Sequence, residues 1–437
     1  MTTMGEYKPD KTSGAMSFKS CLKVSSAGLN DFALVFILVC LSGNMFFLAD
    51  GRDAILYTVF ALMLMLAIAL RSSTIHKRFL LVAIVFTIIF VGQAISLSLI
   101  PVITIAGFFM KLVIAYGVLR LVADFPKTFV YVMAFVSVVS FLFYIPERIL
   151  SLFNVDPRHL FLPLSEFMNV TVSGANERIH IGIYNFQTGE NASRNAAFFW
   201  EPGAFAGYLI LAVVFLSICK ERFTSVVTKS FLSLFTIALL TTQSTMGIVV
   251  LPFALLLFIE LRFSTPISKR NSMIVILTAG FLLIAFAISA SKLDFVGEKI
   301  VRLYSMGVNQ DAGWQASRFG AMIFDAAYIQ VHPLTGWGQN METQFQLNED
   351  MDRFALGNGM TGFVRQMGLL GMGVFLYASW LGFRSCRQAK GKTSLIVFVV
   401  LLALNGEYFL LYPLFMSLMF LGLGKSGREP VLRNGYA

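Results

Sequence analysis

Residues 194–220 read RNAAFFWEPGAFAGYLILAVVFLSICK, and the residues able to do chemistry stand at the front. Arg194, Glu201 and Pro202 crowd the entrance of a run that is apolar from Gly203 onward. Pro202 suits the first position of a helix, where its missing N–H costs nothing. Glu201 then sits just before the helix, close to its positive end. Phe198, Phe199 and Trp200 suit the headgroup belt of a bilayer. That description of a helix entrance leaves Arg194 without a role. At the level of lipid phosphates a guanidinium offers a planar fork of donors that grips two oxygens at once.

Arginine recurs in the same setting. Residues 147–201 hold Arg148, Arg158, Arg178 and Arg194, and residues 292–358 hold Arg302, Arg318 and Arg353 beside Lys292 and Lys299. The stretch ASRFGAMIFDAAYIQVHPLTGWGQN (316–340) reads as an amphipathic helix ended by His332-Pro333. Such a helix lies along the membrane surface and holds Arg318 in a fixed place. Beyond it, Gly336 and Gly338 flank Trp337 and permit a tight turn and close backbone approach. His332, at the helix end, is of the one type that exchanges protons near neutral pH and is a candidate proton acceptor.

Two cations fall inside apolar runs, where charge must be paired or hydrated. Arg365, about two turns from its span's outer end, is expected to face a water-filled cavity with Glu407 as partner. Lys111 is read as snorkelling to the interface. The acidic run NEDMD (348–352) is spaced like a solvated turn, and neither HExxH, GxSxG, a P-loop nor a GxGxxG after a strand occurs. No metal and no cofactor are expected.

Membrane-spanning helices must position these groups. Of 437 residues, 57% are hydrophobic and 13% charged, with a mean hydropathy of +0.75; a soluble chain carries about a quarter charged. A span needs about 20 mostly apolar residues. Twelve spans are expected at about 31–49, 53–70, 79–100, 102–122, 127–146, 202–219, 227–242, 245–261, 271–291, 359–383, 393–406 and 408–424. The last two are short, and a single long helix or a re-entrant pair fits there too. The reading is an all-α polytopic membrane protein, one integral domain over residues 1–437 with two long external loops, 147–201 and 292–358.

The net charge of +10 is placed by topology. About 22 of the 34 Lys and Arg lie in the two tails and alternate connections, which puts both termini in the cytoplasm. This is not the continuous basic footprint of a nucleic-acid binder. Cys21, Cys40, Cys219 and Cys386 fall in spans or cytoplasmic segments, so no disulfide framework is implied. The first 30 residues lack an apolar core, which predicts no cleavable signal peptide and makes the first span the insertion signal.

These stretches have a family likeness. RNAAFFWEPGAFAGYL resembles the R-x-x-x-F-x-x-E-P-G-x-F-A stretch of Wzy-type O-antigen and exopolysaccharide polymerases. SRFGAMIFDAAYIQVHPLTGWGQN resembles the second-loop signature of the wider O-antigen polymerase and ligase superfamily, an arginine followed by H-P-L-x-G-x-G. LLTTQSTMGIVVLP (239–252) looks like that superfamily's T-x-S-x-x-G span, and NGMTGFVRQMGLLG like its segment after the second loop. The likeness covers about residues 190–375. The ligases carry a histidine-asparagine pair where this chain has Gly357 before Asn358, which favours polymerase over ligase.

The resemblance implies a GT-C-like membrane glycosyltransferase of the bacterial inner membrane with its active site on the periplasmic side. It would extend glycan from oligosaccharide units carried on polyprenyl diphosphate, without a metal. Developing charge on the leaving diphosphate calls for Arg194 and Arg318, with Arg178, Arg302 and Arg365 binding phosphate or glycan. The acceptor hydroxyl calls for a base: Glu201 first, His332 second. Lipid favours the neutral acid at Glu201, whereas Arg194 and the helix end favour the anion. Membrane lipids and a chain-length regulator protein are the other partners implied. The rival readings are O-antigen ligation to lipid A core and a lipid-linked glycan flippase. A transporter gathers its polar residues near mid-membrane, whereas here they gather in the two long loops.

Overall fold

The computed structural model describes residues 26–48, 52–71, 74–168, 179–188, 192–262, 318–340, 343, 359–389 and 391–424, with backbone alone at 26, 27, 262, 318–320 and 387. The helices are α1 (Ser26–Gly43), α2 (Met45–Leu48), α3 (Arg52–Leu70), α4 (Lys77–Leu97), α5 (Val102–Leu121), α6 (Phe125–Leu152), α7 (Leu162–Met168), α8 (Pro202–Cys219), α9 (Ser225–Thr241), α10 (Thr245–Arg262), α11 (Arg318–Val331), α12 (Gly359–Ser385), α13 (Thr393–Leu404) and α14 (Pro413–Met416). A two-residue hairpin pairs Ile179 with Phe186 and His180 with Asn185. Among the described residues six helices are long and apolar enough to cross a membrane: α3, α4, α5, α6, α12, and α8 with its short continuation to Arg222. This is a helical membrane protein. The expected spans at 31–49, 227–242, 245–261 and 393–406 appear as shorter apolar helices, and 271–291 lies outside the described residues.

α8 is the pillar. Its sequence is apolar on every face, and such a helix is stable only when surrounded by protein. Of its most apolar window 94% is buried, against 28% for α3 and for α4, whose outward Leu, Ile and Met are exposed. α6, α9, α10 and α13 pack around α8. Gly247 of α10 has no room for a side chain, because a Cβ there would lie 2.8 Å from the Ala206 Cβ. The two helices therefore meet almost backbone to backbone.

Two expectations are corrected here. Residues 408–424 do not form a spanning helix: they contain α14 and a single 3₁₀ turn over Ser417–Phe420. The segment is nonetheless buried from Phe409 to Leu421 save its rim at Leu411 and Tyr412. Irregular backbone is tolerated at membrane depth only where protein encloses it. Arg78 and Arg120 supply partners at its far end, Nη1 donating to the Leu421 carbonyl at 3.1 Å and to the Leu423 carbonyl at 3.0 Å respectively.

The second correction concerns the amphipathic helix. Its stripe is real, with Ala321, Phe324, Asp325 and Tyr328 buried, but α11 does not lie flat on a surface. Asp325 meets Thr361 and Arg365, and Pro333 and Leu334 meet Leu369 and Leu370. Contacts that advance together on both chains mean that α11 runs alongside the start of α12 in the same direction.

α12 is broken where that partnership ends. Gly368 has φ 68° and ψ 178° inside the helix, a region that only glycine occupies comfortably. The break frees backbone groups, and the turn after α11 takes them up. Trp337 N–H donates to the Arg365 carbonyl at 2.8 Å, Gly338 N–H to Gln366 at 2.9 Å, Leu369 N–H to Pro333 at 2.8 Å and Leu370 N–H to Leu334 at 3.2 Å. The expected tight turn and close approach at Gly336 and Gly338 are present, with φ of 73° and 79°. A Cβ on Gly336 would stand 2.6 Å from the backbone of Gln366, and one on Gly368 2.0 Å from the Leu334 carbonyl oxygen.

Gly368→Ala is therefore expected to cost about 2–4 kcal/mol through strain and displacement of the turn. Gly373→Ala, with nothing within 4 Å of the new methyl, is expected to leave the melting temperature in detergent unchanged. Equal melting temperatures for the two variants would refute the docked turn.

Candidate functional site

The entrance of α8 is built as its sequence implies. Glu201 is the cap residue in extended conformation, and Pro202 opens the helix. The approach to it is held by asparagines that carry no motif. Asn195 donates to Ser140 Oγ and Thr241 Oγ1, both at 3.1 Å, and accepts from the Ala197 N–H at 3.0 Å. Asn185 donates to the Phe199 carbonyl at 2.7 Å, and Asn44 to the Gly182 carbonyl at 2.7 Å. Phe198 and Phe199 are buried rather than in the headgroup belt. Phe199 fills the space that Gly43 leaves, stacking on Phe198 and Phe205 and tilted against Tyr208. Trp200 is half-buried against Tyr412 and Phe409.

Arg194 is turned toward the connection between α9 and α10. Its Nε donates to the Thr242 carbonyl at 3.0 Å, and Asn195 N–H donates to the Thr241 carbonyl at 3.0 Å. Ser244 then caps α10, its Oγ accepting from the Gly247 N–H at 3.3 Å. The T-x-S-x-x-G residues thus form one tight corner that seats Arg194 on one side and α8 on the other.

Two carboxylates meet at Gly203. A Cβ there would lie 2.7 Å from Glu407 Oε1 and 3.4 Å from Glu201 Oε1, so the two oxygens can be no farther apart than the sum of those distances. Glu407 is buried and borders a small cleft with Gly203, Ser244, Gly247 and Gly406. Its backbone leans on Gly359, where a Cβ would fall 1.9 Å from the Glu407 carbonyl oxygen. A larger cavity of about 370 Å³ opens at the opposite end of α8, bordered by the Asp124–Arg222 ion pair. None of the sequence-predicted site residues borders it, whereas Glu201 stands at the other end of α8.

Arg365 is corrected in two respects. Its guanidinium is fully buried rather than open to water, and the carboxylate it bonds is Asp325, at 2.6 Å, rather than Glu407. Asp325 also accepts from Thr361 Oγ1 at 2.5 Å, and Arg365 Nη2 donates to Tyr408 Oη at 2.8 Å. Burial pushes the Asp325 carboxyl up, against the pull of Arg365. This is a tie between α11, α12 and the turn carrying Glu407, and it gives Arg365 a positioning role. Sequence reading missed Asp325, though one charge on the apolar stripe of an amphipathic helix was its signal.

His332 and Glu201 are not brought together. His332 is half-buried with its ring edge-on to Trp337 at 4.4 Å, level with Gly368. Glu407 and Glu201 stand level with Gly359, nine residues or about 13 Å away along α12. Arg318 opens α11 two turns before Asp325, on the Gly359 side. Arg178, Arg302, Arg353, Lys292, Lys299, the NEDMD run and the Gly357-Asn358 pair lie outside the described residues, and so do both charged tails. Lys111 lies over the Tyr57 ring at 5.2 Å. Arg158 is engaged by Asp156 at 2.7 Å and by the Gln187 carbonyl at 3.0 Å.

The hairpin that carries His180 braces the α8 entrance. His180 Nδ1 accepts from the Gly182 N–H at 3.0 Å, which leaves Nε2 to donate to the Phe198 carbonyl at 3.2 Å. Burial pushes this imidazole down from 6.5 to about 4, the Phe198 bond opposing. No family model matches the chain, and no curated protein matches it significantly.

Two predictions follow from these bonds. His180 stays neutral when folded, so its stabilisation is full above pH 6.5 and is lost as the pH falls toward about 4. A melting temperature that stays flat across that window, or that falls equally in His180→Gln, would contradict it. Arg365→Leu strands a buried carboxylate and is expected to cost about 3–5 kcal/mol, most of it regained in Arg365→Leu/Asp325→Leu. Additive losses in the double variant would show that the pair is not coupled.

Proposed function

We propose that this chain is a Wzy-type glycan polymerase, a metal-independent glycosyltransferase acting at the periplasmic face of a bacterial inner membrane. One observation carries the reading. The four stretches of family likeness, separate in sequence, form one contiguous structure that runs from the α8 entrance along α12 to its break. Residues 193–195 bond to 241–243, Gly203 meets Glu407, Gly359 backs Glu407, and the 332–338 turn fills the break in α12.

In this reading, oligosaccharide on polyprenyl diphosphate enters from the lipid with its diphosphate at the arginines. The acceptor hydroxyl oxygen bonds to the anomeric carbon of the growing chain while that carbon's bond to the diphosphate oxygen breaks. The hydroxyl proton passes to Glu201, and charge grows on the phosphate oxygens. Arg194 and Arg318 face that charge in the transition state, aided by Arg178 and Arg302. Both termini lie in the cytoplasm, where the basic connections hold them. Glu407, beside Glu201, is the second carboxylate of the mouth. His332, a tier deeper along α12, becomes the weaker candidate for the base.

The test is extension of purified lipid-linked repeat units in detergent, without nucleotide or ion gradient. Longer products are expected from the wild type. Arg194→Ala, Arg318→Ala and Glu201→Gln are each expected to lose at least about a hundredfold in rate at normal expression, whereas Arg158→Ala retains activity. Transfer only to lipid A core would make the chain a ligase. Translocation without lengthening would make it a flippase and end the polymerase reading.

A further inference from the structure

We propose that the turn 332–338 stays seated in the break of α12 throughout turnover. α11 and this turn are then a fixed wall rather than a lid, and Gln93 of α4 is the residue that positions the turn. The inference deepens the proposed function and rests on it only for its activity readout.

Three observations carry it. The turn and α12 exchange four backbone hydrogen bonds, two in each direction, across the break at Gly368. At Gly336 and Gly368 the backbones are so close that neither position has room for a Cβ. Lifting the turn would leave the carbonyls of Arg365 and Gln366, both buried residues, without the partners that Trp337 and Gly338 supply. A hinge built for repeated opening would not place its seam there.

Gln93 closes the seam from a third direction. Its side chain is 5% exposed, and its amide donates both to the Thr335 carbonyl at 2.6 Å and to the Gln366 carbonyl at 2.9 Å. One carbonyl belongs to the turn and the other to the broken helix, so a single planar amide sets their separation. Gly92, the preceding residue, admits the turn, for a Cβ on it would lie 2.9 Å from Thr335 Cγ2 and 3.9 Å from Thr335 Cβ. Trp337 anchors the other side, its indole donating to the Tyr328 carbonyl at 2.8 Å. With the turn fixed, α11 is fixed through Asp325 and Arg365, and so is the approach of Arg318's helix to the Glu407 turn.

The 3.9 Å separation falls inside the Cβ–Cβ range of disulfides, about 3.5–4.5 Å. Gly92→Cys/Thr335→Cys is therefore expected to cross-link nearly completely with copper-phenanthroline in native membranes, while each single variant stays uncross-linked. The cross-linking rate is expected to be the same with and without undecaprenyl-diphosphate-linked oligosaccharide, a result independent of any extension. The oxidised and reduced double variants are expected to extend glycan at equal rates. No cross-link in folded protein, a rate that falls severalfold when the lipid-linked glycan is added, or activity lost on oxidation and restored by dithiothreitol would each overturn the proposal. Gln93→Leu is expected to slow cross-linking about tenfold and to lower kcat with KM unchanged. If it alters neither, Gln93 does not position the turn. Absence of extension in every form, wild type included, beside a normal cross-link would sink the polymerase reading and leave the seated turn standing.

Discussion

A peptide group in hydrocarbon needs a partner, and that requirement organises this molecule. α12 gives up its own hydrogen bonding at Gly368, just after the buried residues Arg365, Gln366 and Met367. The turn 333–338 supplies the missing donors and acceptors. Once it is docked, the direction of α11 is no longer free, because only a helix running beside α12 delivers the turn to the break. Asp325 then falls beside Thr361 and Arg365, and Arg365 in turn reaches Tyr408. Glu407 immediately precedes Tyr408 in sequence and so is set against Gly203 and Glu201.

The same rule governs the end of the chain described. Residues 409–424 hold no helix beyond the short α14 and one 3₁₀ turn, and the backbone there is wrapped by protein and met by Arg78 and Arg120. Arginine is well suited to such service, since its charge persists and its fork reaches more than one carbonyl. Two kinds of arginine thus emerge from one composition. Arg78, Arg120, Arg158 and Arg365 complete the fold, while Arg194 is seated on the α9–α10 corner through the Thr242 carbonyl.

Much of this was legible in the sequence. Helix positions followed hydropathy closely: α3, α4, α5 and α8 lie within a few residues of their expected spans, because an apolar run of that length has few other ways to bury its backbone. Pro202 and Glu201 took the places that helix-entrance chemistry assigns, and the glycines around Trp337 declared a close approach. What they approached could not be read, since a turn and a glycine-broken helix are joined only by backbone atoms that sequence does not distinguish. The partner of Arg365 was misassigned for a related reason. Glu407 was conspicuous as an acid in an apolar tail, whereas Asp325 was hidden in a helix whose direction depends on the break. The irregular stretch 408–424 misled because hydropathy reports burial and not helicity; its shortness and Pro413 were the signals against a regular span.

Backbone amide exchange, resolved to single residues in lipid nanodiscs, tests the dependence of the fold on this seam most directly. The Trp337, Gly338, Leu369 and Leu370 amides are expected to be protected to a common degree and to open as one unit, since each bond fails only when the turn leaves α12. Rapid exchange at Trp337 and Gly338 beside slow exchange at Leu369 and Leu370 would mean that α12 satisfies its break without the turn, and the chain of positions leading to Glu201 would have no anchor.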